Sequence, residues 1–377
     1  MTYLLRFILA LPFFALLTCT KEQAPAPVVH HGIDTTSHEW TFTMYEVGGM
    51  NTTLRDVAAL SPDYAIALGH VEHDFSTGPQ PWPSINAYRW DGEKLIPFSM
   101  PISPHDTVTI DPQKNLKPFG SWMDLDAIWA FRRDNIWYSS ASGAIAHITI
   151  LGPDTMVRQE TWKTRPSLIP APCSRIWAKD TSFLYFAGDE GNVVRNVKGV
   201  WEDIPADTKG MEITGLYGND NGEVLIASNG SSLHDTFLRF SDGKWSVIWD
   251  ETLPSLSDPV MFGAPWCFWG PDNSDSLWIA GLWLGKIHKS GSGRVTPILN
   301  RLPSGFASIH GNSNQDVFFV GWNGVITHYN GATYRDFPDF MNKDMHFKAV
   351  RMTGNDVFIV GYRYFGGGIF IHGHRYK

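Results

Sequence analysis

The chain has 377 residues, 43% of them hydrophobic and 18% charged, with 35 glycines, 24 prolines and 16 tryptophans. That composition excludes a disordered or fibrous chain and favours short strands joined by turns over long helices. A net charge of −8 argues against non-specific nucleic-acid binding.

At the N-terminus, Arg6 precedes the apolar run 7–17 (FILALPFFALL), which Pro12 interrupts. The run is too short to cross about 30 Å of hydrocarbon as a helix and has the length of a secretory signal core. Residues 16–19 (LLTC) resemble a bacterial lipobox, with Thr18 where the pattern prefers Gly or Ala. The resemblance implies export by the general secretory route, removal of residues 1–18 and lipidation of Cys19. A lipid-anchored position in the cell envelope follows. Residues 19–38 are mostly polar, hold two Ala-Pro pairs and read as a tether. The adjacent His30 and His31 read as solvated residues of that tether.

The body is repetitive. Residues 316–337 (DVFFVGWNGVITHYNGATYRDF) and 356–377 (DVFIVGYRYFGGGIFIHGHRYK) match at an offset of 40. Each has an apolar strand ending in Val-Gly, a glycine turn, a second strand ending near a His, and another turn. Five fainter copies of the strand stand at 65–69, 135–139, 183–188, 223–227 and 276–281. An apolar residue precedes each copy: Val57, Ile128, Ile176, Leu216, Trp269, Ile309 and Ala349. A basic residue follows each in one column: Arg89, His147, Arg195, Arg239, His288, His328 and His372. Asp-Gly or Asn-Gly pairs at 91–92, 242–243 and 330–331 then mark hairpins, because they tolerate positive φ. A fourth strand follows, as at 201–204, 245–249 and 334–337. Four strands in each of seven units of about 48 residues predict an all-β, seven-bladed β-propeller over 39–377. The seventh unit stops after its third strand. Residues 39–47 resemble a fourth strand and are expected to complete it, which removes an open sheet edge.

The pattern at 316–331 resembles the repeats of bacterial seven-bladed propellers in the broad sialidase-like and photosystem-assembly-factor-like group. The resemblance implies the architecture; such propellers include enzymes, assembly factors and binding modules. The sialidase Asp-box is absent, and Trp90-Asp91 and Trp249-Asp250 fall at different blade positions, unlike a regular WD pattern.

Candidate ligand-binding residues gather in a few places. His70, Glu72, His73, Asp74 and Trp82 fall in a long insertion at 70–85, and His105 in a long connection at 99–117. Long loops on a compact repeat are often functional, so a binding surface on blades 1 and 2 is expected. Trp122, Asp124 and Trp266 stand near strand starts, and the tryptophans could stack on flat sugar faces. The acidic residues Asp124, Asp126 and Glu212 are too scattered in sequence to predict a catalytic pair. The His/Arg column reads as structural, its members bonding a neighbouring blade or capping a turn. No P-loop or serine-nucleophile motif occurs, and no metal or other cofactor is expected. Cys173 and Cys267 begin inner strands of non-adjacent blades and are expected to be buried thiols. The sequence thus favours a non-enzymatic binding or assembly platform for an envelope protein or a glycan. The alternative is a propeller-type polysaccharide hydrolase or lyase.

Overall fold

The segments Asp316–Gly321 and Asp356–Arg363 are apolar almost throughout and buried along nearly their whole length. A continuous apolar run suits a strand that has sheets packed on both its faces. A computed structural model supplies those sheets. It describes residues 37–376, apart from 73–84, 101–107, 110–123, 142–143, 151–155, 164–172, 220, 230–234, 251–264, 291–294, 300–303 and 343. The expected signal, residues 1–18, and nearly all of the expected tether lie outside the described residues.

Seven antiparallel sheets form the seven blades, and within five of them spatial order follows chain order. Blade 1 runs Thr53–Ser61, Tyr64–His70, Ala87–Trp90 and Leu95–Phe98. The first, innermost strands of blades 2 to 6 are Leu125–Arg132, Arg175–Asp180, Glu212–Gly218, Cys267–Trp269 and Phe306–Ser313. Blade 2 carries a short fifth strand, Val108–Thr109. Blade 7 contains Met345–Thr353, Asp356–Arg363 and Gly368–Arg375, and its fourth strand is Trp40–Val47 from the start of the domain. Trp40 pairs with Arg375 and Val47 with Gly368, as the closure reading required.

A single blade cannot bury both of its faces. Here a separate apolar cluster fills each interface between neighbouring blades. Leu68 and Ile128 share the cluster between blades 1 and 2; Val360 and Val57 share the one between blades 7 and 1. The ring is therefore closed by the same packing that joins every other pair. The glycine ending the second strand has a steric cause. A Cβ on Gly69, Gly321 or Gly361 would stand 2.0, 2.0 or 1.9 Å from a carbonyl oxygen in or just before the adjoining inner strand.

The basic column is structural, mostly within blades. His328 Nε2 donates to Asp316 at 2.9 Å and His372 Nε2 to Asp356 at 2.7 Å. His147 bonds Asn135, and Arg239 pairs with Glu223. In each case the third strand reaches the residue that starts the second. Cross-blade bonds also occur: Arg195 donates to the Gly222 carbonyl, and Arg375 clasps Asp316 of blade 6. His288 bonds Ser290 in its own turn. Cys173 and Cys267 are buried free thiols. No helix among the described residues is long and apolar enough to cross a membrane.

Candidate functional site

The inner strands line a central channel. At one mouth it opens into a cavity of about 780 Å³. Its rim is built where inner strands begin and second strands end, as shown by Thr53, Ser174, Asn229, Trp266, Trp322 and Tyr362 in its wall. A narrower cavity of about 430 Å³ continues toward the opposite mouth and shares Arg55, Asp126, Arg175 and Lys348 with the first.

One side of the wide mouth is charged. Arg55 Nη2 donates to Asp124 at 2.7 Å, and Arg55 Nη1 pairs with Asp126. His70 Nδ1 donates to the other oxygen of Asp124 at 2.6 Å, with Glu72 3.6 Å from its Nε2. The fold thus brings Arg55 to Asp124 and Asp126, about 70 residues away in the chain. A first-strand arginine of blade 1 reaches across to the start of blade 2 and holds both. Burial raises the Asp126 carboxyl, against the pull of Arg55. Glu212 stands across the channel, 3.4 Å from the Ser174 hydroxyl. Because Asp124 is bonded at both oxygens, this cluster reads as an ion-pair network that sets the mouth's shape.

The other side is aromatic. Trp266 and Trp322 stack with centroids 4.6 Å apart. Trp322 approaches His346 at 6.1 Å, His346 stacks on Tyr362 at 5.3 Å, and Tyr364 meets Tyr362 edge-on at 5.4 Å. This arc spans blades 5, 6 and 7. Leu282, Trp322, Tyr364 and Phe365 are exposed along it, Phe365 by 90%. Phe365 has φ 55°, a costly conformation for a large side chain. The turn is pinned by Tyr364 N to Asp344 O at 2.7 Å and by two bonds between Arg363 and the glycines that follow. An aromatic ring is therefore held in solvent by a strained, well-bonded turn.

Of the residues singled out in the sequence, His70, Asp124 and Trp266 lie at this mouth. His73, Asp74, Trp82, His105 and Trp122 lie outside the described residues, as does Cys19. The exposed aromatic arc sits on blades 5 to 7, where the sequence had pointed to blades 1 and 2. Sequence reasoning missed Trp322, Tyr362, Tyr364 and Phe365. A signal existed: Leu282, Trp322 and Tyr362 each follow the glycine that ends a second strand, where a surface turn should be polar.

Seven blades around a lined channel define a seven-bladed β-propeller. No family model and no curated protein matches the chain. Among solved structures it is similar to YCF48 bound to D1 peptide, with 14% identity and a TM-score of 0.58 over 89% of this chain and 97% of that one. YCF48 from Cyanidioschyzon merolae matches at 11% identity and a TM-score of 0.58, over 88% and 98%. The WD40 β-propeller domain of Doa1 matches at 9% and 0.57, over 88% and 96%. At such identities the likeness carries the fold alone.

Proposed function

We propose that the protein is a lipid-anchored envelope platform that binds a protein partner through the wide mouth of its propeller. The observation that carries the reading is the exposed aromatic arc on blades 5 to 7. Large exposed apolar surfaces on folded domains mark interaction sites. Aromatic residues are also enriched where interfaces concentrate their energy. The YCF48 structure with a D1 peptide supports a peptide-binding use of this architecture.

Cross-linked capture from native envelopes tests this, using the full chain with Cys19 intact. One stoichiometric protein is expected with the wild type and is lost in Trp322→Ala/Tyr364→Ala, at least tenfold, while Lys179→Ala at the far mouth retains it. Equal capture by all three overturns the reading. Retention of polysaccharide in place of protein, with turnover abolished by Asp126→Asn, would instead establish the hydrolase or lyase alternative.

A further inference from the structure

The narrow part of the channel holds a second site with its own chemistry. Arg175 commits Nε to the Thr214 carbonyl at 2.6 Å and Nη1 to the Ser174 carbonyl at 2.7 Å. Those bonds fix the guanidinium in the wall and leave Nη2 without a protein acceptor among the described residues. Lys348 projects from the inner strand of blade 7, its Nζ 5.7 Å from the Tyr362 ring centroid, and no carboxylate pairs with it among the described residues. The other channel arginines are matched: Arg55 by Asp124 and Asp126, Arg351 by Asp56 at 3.5 Å. Glu212 faces Lys348 from blade 4 and offsets part of the charge. Burial, then the nearby Arg175, hold the ammonium below its ordinary range.

Beneath these two cations aromatic rings stand in the wall among polar groups. Trp129, Trp177, Tyr217 and Trp269 line the cavity of about 430 Å³. Trp177 lies 5.1 Å from Tyr217 and 6.5 Å from Trp129, inclined at 60° and 49°, so the rings form a faceted aromatic wall. A ring-lined pocket can also attract a cation. Here Arg351 already stands 5.9 Å from Trp129 and Lys289 6.0 Å from Tyr217, and a further cation would be repelled. Unmatched donors beside a wall of aromatic rings suit an anion with an apolar ring body.

We infer that the channel is a binding site for a small aromatic carboxylate, its oxygens held by Arg175 and Lys348 and its ring by Trp177, Tyr217 and Trp269. None of those rings belongs to the exposed arc, and Lys348 meets it at Tyr362.

Equilibrium dialysis of the full chain in detergent against 2-naphthoate tests the assignment, with 2-naphthamide as the uncharged match. Saturable binding of one naphthoate per chain is expected, about tenfold tighter than the amide. Arg175→Gln and Lys348→Met should each weaken it by about the same factor, and Lys348→Arg should largely restore it. Trp322→Ala at the rim should leave it unchanged, which separates this site from the docking surface. The assignment is overturned if the amide binds as well as the acid, if naphthoate shows no saturation, or if Lys348→Met with native thermal unfolding binds normally.

Discussion

Asp316 is fully buried, and so is His328; Arg375 is 3% exposed. Burial alone would raise the Asp316 carboxyl, yet the hydrogen bonds from His328 and Arg375 hold it below the usual carboxylate range. Asn312 donates a further bond at 2.9 Å, so both oxygens are satisfied. Removing one partner of such a network leaves a charge buried without an acceptor. Asp316→Ala should therefore cost about 3–5 kcal/mol, read by denaturant unfolding. Asp316→Asn, which keeps shape and one acceptor, should cost less. The sequence showed a basic column repeating with the blades, and repetition itself pointed to a structural role. It did not show that the partner is the residue opening the second strand, since that pairing crosses a hairpin.

Within the blade, the glycine ending the second strand decides whether two strands can lie at the observed distance. Gly361 has no room for a Cβ, because the His346 carbonyl would be 1.9 Å away. Gly361→Ala should destabilise the protein by about 3 kcal/mol, by pushing apart the inner and second strands of blade 7. Thermal unfolding measures it, with Gly354→Ala as a contrast: nothing lies near that added Cβ, and only its φ of +59° opposes it. Strands were legible because their signals are local: apolar runs, Val-Gly ends and Asp-Gly or Asn-Gly turns. Boundaries shifted by a residue or two, as in Val200–Asp203 against the expected 201–204. Hydrogen bonding extends a strand past its apolar run.

For the whole ring, closure rests on Trp40–Val47, and a chain of side-chain bonds locks its start. Thr333 bonds His38 Nε2 at 2.9 Å, the His38 and His328 Nδ1 atoms share a bond of 2.9 Å, and His328 donates to Asp316. The Nδ1–Nδ1 bond needs one ring nitrogen as acceptor, so the chain breaks when both imidazoles are protonated. Burial, then the neighbouring His328, lower His38 to about 4, and burial lowers His328 against the pull of Asp316. Both folded values lie below the ordinary 6.5, so protons bind the released strand better than the docked one. Closure should be at full strength above pH 6.5 and weaken as pH falls toward 4. Hydrogen exchange at the Phe42–Tyr45 amides, corrected for intrinsic rates, should show less protection at pH 5 than at pH 7. Unchanged protection would remove the histidines from the closure mechanism.

The sequence by itself determined the number of blades, the strands within them and the strand that closes the ring. Those features are written in periodicity and in turn residues, which act over a few neighbours. It also supplied the expectation of a lipid anchor, from residues 7–19. Only the tertiary structure decided which side chains meet in the channel. Arg55 gathers Asp124 and Asp126 from about 70 residues away, and Trp266 meets Trp322 across a blade boundary. Arg175 and Lys348 look like ordinary surface cations in the sequence. That no carboxylate pairs with either among the described residues becomes visible only once seven inner strands have turned their faces toward one axis.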